Sequence, residues 1–376
     1  MDNNFDVIYN KHLEEIREML KEKGVCLSDK PTGYGKTYGS FEIMKDYKNV
    51  FYLYPTTSIK VDTSYKYNDK IYNIENYQYI SYRKLLNMFK GNSICTYFVQ
   101  YDNTDTLFIL DECHTACALK TKFAIQYLMW NCCPNAHFLG LTGTSVRTDK
   151  IDVRDELFEE NATDTYTLGD AIRDGLFPPP HYIKGTFNLD ETLSNFYKRI
   201  EKIDNNKNHH VVESLTKKLL KMSKLNIDHV LEKWLYKLLG KDVDYMKIMV
   251  FFPDKKYLEE KTDYYEAVFK KLYPNHEINM VKIYSDSRYR KNVNLLPNLK
   301  YEGTKKIDII VSINMLNMGY HVDDLHAVIL NRPTSSDIIY KQQCGRVFKR
   351  GAKINPIIFD FVGNWKKDKF LQNHRI

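Results

Sequence analysis

The sequence lacks any run of about 18 apolar residues, so we expect no transmembrane helix. Residues 1–6 are acidic and lack the basic-then-apolar pattern of a signal peptide. The seven cysteines are an odd number, and several lie in apolar, strand-like segments, namely Cys26, Cys95 and Cys113. These absences predict reduced thiols and a cytoplasmic protein rather than a secreted, disulfide-bonded one.

The chain also has no large excess of charge of either sign. Its 55 Lys and Arg residues against 48 Asp and Glu residues give a formal net charge of +7, which permits binding to a polyanion without establishing it. A length of 376 residues is too great for one hydrophobic core and predicts two domains. The sequence shows no internal repeat, and it shows no nuclease-like cluster of acidic residues with lysine outside the motifs at residues 31–37 and 111–114.

Residues 31–37, Pro-Thr-Gly-Tyr-Gly-Lys-Thr, form a loop suited to a nucleoside triphosphate. Gly33 and Gly35 let the backbone turn so that successive N–H groups converge on phosphate oxygens. Lys36 can reach the β and γ phosphates, and the Thr37 hydroxyl is placed to hold Mg²⁺. The helix that follows points its positive end at the same phosphates. We expect this loop to bind the nucleotide through Thr32, Gly33, Tyr34, Gly35, Lys36 and Thr37.

A hydrophobic run later in the chain ends in Asp111-Glu112-Cys113-His114. Asp111 at the end of a buried strand can meet the metal, and Glu112 can polarise the attacking water. Adjacent carboxylates in such a place are costly unless a metal or a proton needs them. The order and spacing of this motif and the phosphate loop predict the two halves of an ATP and Mg²⁺ site.

The hydrophobic pattern predicts alternating strands and helices in both halves of the chain, and therefore an α/β fold. In the first half, strands are predicted at residues 24–28, 50–54, 93–100, 106–110 and 138–141, and helices at 5–23 and 36–47. A glycine-capped helix and a proline run within residues 166–182 predict a crossover out of the first domain. Residues 190–239 are helical in pattern and basic. Further strands are predicted at residues 248–252, 280–284, 307–312, 325–330 and 356–361, with a helix over 341–350.

The motifs resemble those of superfamily 2 helicases and translocases, and most of all those of restriction-enzyme motor subunits. Residues 31–37 resemble motif I, residues 111–114 resemble motif II in its DECH form, and residues 141–144 resemble motif III. In the second half, residues 314–319 resemble motif V and residues 342–346 resemble motif VI. Weaker likenesses are found at Pro55-Thr56, at residues 80–83 and at residues 250–252.

The resemblance implies two tandem RecA-like domains, parallel sheets flanked by helices, at residues 1–182 and 245–376, with a helical connector at 183–244. ATP is then expected in a cleft between the domains, with motif VI neutralising charge on the γ-phosphate. The implied catalytic residues are Lys36, Asp111, Glu112, Gln342, Arg346 and Lys349, and Gly319, Arg346 and Arg350 are implied as further nucleotide contacts. The implied coupling residues are His114, Thr142 and Thr144, and the implied nucleic-acid contacts are Pro55, Thr56 and Arg83.

The sequence departs from the family pattern at two points. The second arginine of motif VI is replaced by Lys349, with Arg350 next to it. Because lysine cannot make the planar two-pronged contact of arginine, either Lys349 serves with reduced power or Arg350 takes its place. No glutamine precedes Gln78, so the adenine-reading glutamine of many relatives is missing and the preference for ATP follows from the resemblance alone.

Several residues have a simpler structural interpretation as well. Thr142 and Thr144 would suit a turn after a strand, Arg346 a salt bridge on a helix and Gln342 a solvated surface. A second set, Cys113, His114, Cys117, Cys132, Cys133 and His137, invites a metal interpretation, but its spacing is not that of a zinc site, and core thiols are the better interpretation.

The function that the resemblance implies is a nucleic-acid-dependent ATPase that translocates on or unwinds DNA. DNA is preferred to RNA only through the restriction-enzyme branch, so an RNA helicase stays open. The sequence is also compatible with a motor subunit active only within a larger defence or restriction complex, and with a nucleotide-gated binding protein in which Lys349 has cost it turnover. Gly345-Arg346 and Thr142-Gly143-Thr144 argue against a further alternative, a P-loop kinase or transporter ATPase, because such an enzyme needs no second RecA-like half. The expected partners are a nucleic acid and other proteins, with no membrane.

Overall fold

A computed structural model describes the residues in the following ranges: 2–56, 59–60, 63–64, 67, 71, 74–147, 149–184, 227–284, 291–313, 322, 324–332, 337–349, 352, 354–362 and 364. The chain forms two compact units, the first built mainly from residues up to Phe177 and the second mainly from Pro178 onward. Within the described ranges, no helix has both the length and the apolar character that a bilayer crossing requires.

The first unit is built on a five-stranded parallel sheet with the order β1-β5-β4-β2-β3. Its strands are β1 Val25–Asp29, β2 Asn49–Tyr54, β3 Asn76–Ser81, β4 Thr106–Asp111 and β5 His137–Thr142. β4 is buried along its whole length, as a central parallel strand covered on both faces requires. In register, Asp29 lies opposite Thr142 and Asp111 lies opposite Leu141. The ends of β1, β4 and β5 therefore meet at one edge of the sheet.

Helices flank this sheet, and three of them, α1, α2 and α8, fall in segments predicted to be helical. They are α1 Asp2–Lys23, α2 Lys36–Ile43, α3 Tyr82–Lys90, α4 Ile94–Phe98, α5 Cys113–Ala116, α6 Leu119–Tyr127, α7 Val153–Leu157 and α8 Leu168–Arg173. A π-helical segment, Leu128–Cys132, continues α6. Side-chain caps fix two of the starts: Ser81 accepts from the backbone of Lys84, and Thr167 forms a capping box with Asp170.

The predicted strand at residues 93–100 is wrong, because this segment forms α4 and a 3₁₀ turn, Val99–Tyr101. Ile94 and Phe98 are fully buried, and they lie four residues apart, as one face of a helix requires. A short apolar run with aromatic residues fits a strand and a helix equally well by composition. Burial of one face against the core decides between them.

The prediction that all cysteines are reduced is wrong for two of them. Cys95 of α4 and Cys132 of the π-helical segment form a disulfide between residues 37 positions apart in sequence. Contact between α4 and the π-helical segment brings the two thiols together, and no spacing rule signals it. Cys26, Cys113, Cys117, Cys133 and Cys344 are buried and are not joined in a disulfide. Within the described ranges, no group of three or more His, Cys, Asp and Glu residues could hold a metal ion.

The second unit is built on a six-stranded parallel sheet with the order β6-β11-β10-β7-β9-β8. The strands are β6 His181–Lys184, β7 Tyr245–Phe251, β8 Glu277–Ile283, β9 Lys306–Ser312, β10 Ala327–Leu330 and β11 Ile357–Asp360. The helices are α9 at residues 227–239, α10 Lys255–Leu272 and α11 Asp337–Gly345, with a 3₁₀ segment Lys291–Asn298. The predicted α/β class, with parallel sheets flanked by helices, is confirmed.

The domain bounds proposed from the sequence fall near elements of the second unit. The boundary at residue 182 falls inside β6, and the boundary at residue 245 coincides with the first residue of β7. Of the connector at 183–244, residues 185–226 lie outside the described ranges. The part that is described includes α9, whose Leu231 and Leu235 are buried in the core of the second unit. The bounds themselves stay a prediction.

Candidate nucleotide-binding site

The phosphate loop joins β1 to α2 through two glycines in the left-handed region. Gly33 has φ +86° and Gly35 has φ +102°, conformations that a residue with a Cβ adopts only with strain. α2 begins at Lys36, directly after Gly35. The free N–H groups and the positive end of the helix dipole are thus located at the loop, which is the arrangement that binds phosphate elsewhere.

The ammonium of Lys36 is located over the loop and beside the end of β5. Its Nζ donates hydrogen bonds to the carbonyl oxygens of Lys30, at 2.6 Å, and Pro31, at 3.0 Å. A Cβ added to Gly143 would lie 3.8 Å from Lys36 Nζ and 3.7 Å from Thr32 Oγ1. The segment predicted as motif III therefore lies against the phosphate loop.

Aromatic side chains from α1, from the loop itself and from the segment before α8 pack together at the phosphate loop. The Tyr9 hydroxyl donates a hydrogen bond of 2.8 Å to the carbonyl oxygen of Gly35. The ring of Tyr34 is buried and lies 5.8 Å from the Tyr9 ring and 5.5 Å from the Tyr166 ring. Tyr34 can therefore offer a nucleotide its backbone, while its side chain anchors the loop. Sequence reasoning did not find Tyr9, because it lies 26 residues before the residue it holds.

Asp111 is held at the end of β4 by two hydrogen bonds. Its Oδ2 accepts from the Tyr52 hydroxyl at 2.7 Å, and its Oδ1 accepts from the backbone N–H of Glu112 at 2.9 Å. Burial, and after it the neighbouring Glu112 carboxylate, raise the pKa of Asp111 to about 7 against the opposing effect of these two bonds and Lys36. A cation at this buried carboxylate would favour its ionised form, so Asp111 and the Thr37 hydroxyl fit a Mg²⁺ ion.

Two tyrosines that position Asp111 were missed in the sequence. Tyr52 lies on β2 and bonds the carboxylate, and Tyr82 at the start of α3 donates a 2.7 Å hydrogen bond to the Asp111 carbonyl oxygen. Both side chains are buried. In a chain with 29 tyrosines, nothing in the local pattern separates these two from tyrosines that only fill the core.

The Tyr52→Phe substitution is expected to weaken Mg²⁺ binding about 10–100-fold, because the ring stays in place while the hydrogen bond that orients Asp111 is lost. The measurement is a Mg²⁺ titration of nucleotide hydrolysis. Tyr54→Phe, which removes a hydroxyl from the same strand, serves as the control and should leave the titration unchanged. Equal Mg²⁺ dependence in the wild type and Tyr52→Phe would rule out this role for Tyr52.

Glu112 has an unusual backbone conformation, with φ 48° and ψ 47°. The left-handed region is uncommon for a residue with a side chain, and such residues cluster at functional sites. The Thr115 N–H and hydroxyl both donate to the Glu112 carbonyl oxygen, at 2.8 and 2.9 Å, and fix this turn. Glu112 is half-buried, and its Oε2 lies 3.4 Å from His114 Nδ1.

His114, Thr142 and Thr144 form one buried hydrogen-bond network. The Thr142 hydroxyl donates to the Thr144 carbonyl oxygen at 2.8 Å, so it accepts from His114 Nδ1 at 3.1 Å. Burial lowers the pKa of His114, which favours the neutral ring with its proton on Nδ1. Arg147 donates to the His114 carbonyl oxygen at 2.7 Å. The network links the carboxylate segment to the end of β5.

The proposed nucleic-acid contacts follow the other two strands of the same sheet. Pro55 and Thr56 come directly after β2 and are partly exposed. Arg83 is exposed on α3, which begins where β3 ends. Because all five strands are parallel, these residues lie toward the same sheet edge as Asp111 and Thr142.

Two of the motif VI residues, Gln342 and Arg346, lie in the second unit at the end of α11, whereas Lys349 belongs to the first unit. Gln342 is buried within the helix, and Arg346 is buried in the turn that follows it. The predicted helix over residues 341–350 is therefore displaced, because α11 begins earlier, at Asp337, and ends at Gly345. Lys349 is half-buried. Gly319 and Arg350, the other predicted nucleotide contacts, lie outside the described residues.

Two family models match the sequence. The model described as SWI2/SNF2 ATPase matches residues 56–213, and the model described as helicase conserved C-terminal domain matches residues 231–351. The first match begins after the phosphate loop, so the interpretation of that loop depends on its own residues and geometry. No curated protein matches the sequence.

Solved structures of helicases and restriction enzymes share the fold. The DEAH/RHA helicase HrpB from Escherichia coli matches with a TM-score of 0.59 and 11% identity, over 94% of this chain and 42% of that chain. The DNA-bound ATP-dependent Type ISP restriction-modification enzyme LlaBIII matches with 0.57 and 13%, over 95% and 28%. A fragment described as an HsdR subunit of a type I restriction enzyme from Vibrio vulnificus matches with 0.56 and 19%, over 98% and 64%.

The chain spans less than two thirds of the length of each of these neighbours. At these identities the likeness shows the fold, which is that of two tandem RecA-like units. The family follows from the two family-model matches, which together run from residue 56 to residue 351 with one gap. With an ATPase domain followed by a helicase conserved C-terminal domain, the chain belongs to the superfamily 2 helicases and translocases, and restriction enzymes are among its structural neighbours.

Proposed function

We propose that this chain hydrolyses ATP with Mg²⁺ and couples hydrolysis to translocation on DNA or to its unwinding. The observation that supports the proposal most strongly is the shared sheet edge of the first unit. There the phosphate loop, the Asp111-Glu112 pair and the His114–Thr142 network follow three neighbouring strands. Hydrolysis alone would require only the phosphate loop and the Asp111-Glu112 pair. The His114–Thr142 network additionally connects these carboxylates to the end of β5.

The site residues of the first unit have different roles in the proposed hydrolysis. Lys36 and the loop N–H groups hold the phosphates, and Thr37 and Asp111 hold the metal ion. When bound, Mg²⁺ neutralises phosphate charge and orients the phosphoryl group. Glu112, half-buried and beside a neutral His114, accepts the proton of the attacking water.

The coupling proposal concerns His114, Thr142 and Thr144. A change in charge at Glu112 on hydrolysis alters its interaction with His114 Nδ1, 3.4 Å away. His114 shares that nitrogen with the Thr142 hydroxyl. A shift of His114 therefore moves the segment after β5, and through the parallel sheet edge it reaches Pro55, Thr56 and Arg83, which we propose as nucleic-acid contacts.

We also propose that Gln342 and Arg346 of the second unit act on the same nucleotide, together with Lys349, and that Gly319 and Arg350 are further contacts. The match of residues 231–351 to the helicase conserved C-terminal domain supports this part of the proposal. An arginine near the γ-phosphate would neutralise the charge that develops there during transfer.

The substitution Lys349→Arg is expected to raise ATP turnover, by about tenfold or less, because a guanidinium makes a two-pronged contact that an ammonium cannot. Steady-state phosphate release measures the effect. Lys341→Arg, at an exposed position of α11, is the matched control and should change nothing. An unchanged or lower rate in Lys349→Arg would assign the second cation to Arg350.

DNA is favoured over RNA because a structural neighbour, LlaBIII, was solved bound to DNA. A second candidate function, action on RNA, is supported by the likeness to Mss116p bound to ssRNA and AMP-PNP, at a TM-score of 0.51 and 12% identity. The chain covers only 28% of LlaBIII. A third candidate function is therefore that of a motor that works within a larger defence or restriction complex. The cytoplasmic location stays a prediction.

Displacement of a third strand from a DNA triplex tests translocation directly. We expect release of the third strand that depends on ATP and on the length of duplex leading to it. Matched RNA–DNA and single-stranded substrates separate the DNA and RNA proposals. ATP hydrolysis stimulated by DNA without any strand release would reject translocation while leaving the nucleotide site intact.

A further inference from the structure

A row of large apolar side chains lies exposed on the first unit, away from the nucleotide site. Leu119, Phe123, Tyr127 and Trp130 are 64%, 51%, 39% and 49% exposed. They recur at positions i, i+4, i+8 and i+11 along α6 and its π-helical continuation, so they share one face. We call these four side chains the aromatic stripe.

The aromatic stripe is carried by a fixed scaffold. The opposite face of the same helix is anchored by Ala124, Ile125, Leu128 and Met129, which are buried. The Tyr127 ring lies 5.4 Å from the Phe89 ring of α3, and the Cys95–Cys132 disulfide ties the π-helical segment to α4. A surface that is already ordered loses less free energy on binding a partner.

The composition of the stripe is that of a protein interface. Tryptophan, tyrosine and phenylalanine are the side chains enriched at interface centres, where a few of them carry most of the binding energy. A contiguous exposed apolar patch on a globular protein usually marks an interaction surface. The π-helical turn that carries Trp130 is a rare local structure that occurs most often at functional sites.

The two helices that form and support the stripe, α6 and α3, carry no carboxylate of their own, and Glu156 of α7, which reaches α6, is paired there with Lys122 at 2.6 Å. The sequence has no Asp or Glu between Glu75 and Asp102, or between Glu112 and Asp149. α3 packs against α6, and both helices lie within these two intervals. Lys84 and Lys90 of α3 and Lys120 of α6 are exposed. An occupant therefore meets an apolar centre with a positive rim, and complementary charge requires carboxylates.

Other segments of this chain do not supply that charge. Residues 185–226 contain eight Lys and Arg residues against five Asp and Glu residues, and residues 365–376 contain four against one. A second copy in a two-fold dimer would place the same positive rim against itself, and like charges at an interface disfavour the pairing. The charge distribution points to a separate protein.

We propose that the aromatic stripe is the docking surface for an acidic, amphipathic helix of a partner protein. The apolar face of that helix packs on Phe123, Tyr127 and Trp130, as a helix fills a hydrophobic surface elsewhere. Its carboxylates face Lys84, Lys90 and Lys120. None of these residues belongs to the nucleotide site, so docking and ATP hydrolysis can be measured separately.

Labelled peptides of about 16 residues test the proposal by fluorescence anisotropy with the full chain. One set carries leucine and tryptophan at helical spacing with glutamate elsewhere, and a second set replaces every glutamate by lysine. We expect saturable binding of the acidic set, at least about tenfold tighter than that of the basic set and weaker at high salt.

Substitutions in the stripe test whether the peptides bind at this surface. Phe123→Ala and Trp130→Ala are each expected to weaken binding of the acidic peptides at least about tenfold. Lys90→Glu should weaken the acidic set and strengthen the basic set. Tyr301→Ala is the matched control, because Tyr301 is also 49% exposed but lies in the second unit. All four variants should retain the wild-type ATPase rate, which also reports that they fold.

Three results would overturn the proposal. The first is that neither peptide set binds, or that the affinity is the same for both sets and is unchanged in Phe123→Ala and Trp130→Ala. The second is a dimer, seen by sedimentation, that disappears in Trp130→Ala, since this would make a second copy the occupant. The third is loss of oligonucleotide binding in the same variants, which would assign the stripe to nucleic acid.

Discussion

The Lys36→Ala variant is expected to lose ATP turnover by at least about 10²–10³-fold. The Lys36 ammonium is held over the phosphate loop by the carbonyl oxygens of Lys30 and Pro31, at 2.6 and 3.0 Å. It is the cation best placed in the first unit to neutralise charge on the β and γ phosphates. Alanine leaves the loop glycines and α2 intact, so the variant should fold and bind nucleotide more weakly. Steady-state phosphate release and binding of a fluorescent ATP analogue measure the two effects.

Lys45→Ala is the matched control for this substitution. Lys45 lies nine positions further along the chain, is exposed, and pairs with Glu42. An exposed pair of this kind contributes little to stability, so we expect wild-type turnover and nucleotide affinity. If Lys36→Ala keeps the turnover of Lys45→Ala, the phosphate loop at residues 31–37 is not the hydrolytic site.

The Arg346→Ala variant is expected to lower turnover by about 10³–10⁵-fold, with a much smaller change in ATP affinity. An arginine supplied to the γ-phosphate acts mainly on the charge that develops during transfer, so its loss affects turnover more than binding. Arg346→Lys should restore little, because the planar two-pronged contact is missing. Single-turnover hydrolysis and equilibrium nucleotide binding separate the two effects.

Because Arg346 is buried, stability needs its own control in this experiment. Thermal unfolding of each variant shows whether the second unit stays folded, and Lys341→Ala removes an exposed cation from α11, the helix that precedes Arg346. We expect Lys341→Ala to match the wild type in both respects. A folded Arg346→Ala variant with wild-type turnover would remove the second unit from the hydrolytic step.

The sequence predicted well those features that depend on local pattern and on glycine geometry. The buried run at residues 106–111 became a central strand that ends at Asp111, and the loop glycines Gly33 and Gly35 adopt the left-handed conformations that a phosphate loop needs. The crossover helix predicted within residues 166–182 is present as α8, and Gly175 follows it with a positive φ of 75°. These features depend on the period of the hydrophobic residues and on turn-forming residues, both of which can be recognised from residues close together in the sequence.

Features that depend on contacts between distant residues escaped prediction. Tyr52 lies 59 residues from the carboxylate it bonds, and Cys95 lies 37 residues from Cys132. The segment at residues 94–98 became a helix because its Ile94 and Phe98 pack on the core together. In each case the deciding energy comes from tertiary packing, which no local pattern encodes.

Steady-state ATP hydrolysis by the full chain, alone and with single- and double-stranded DNA and RNA, tests the proposed motor most directly. We expect at least one polynucleotide to raise turnover by about tenfold or more, with DNA more effective than RNA, and no stimulation in Lys36→Ala. A chain that binds ATP and hydrolyses it at a rate that no polynucleotide changes would contradict the proposed coupling of hydrolysis to nucleic acid.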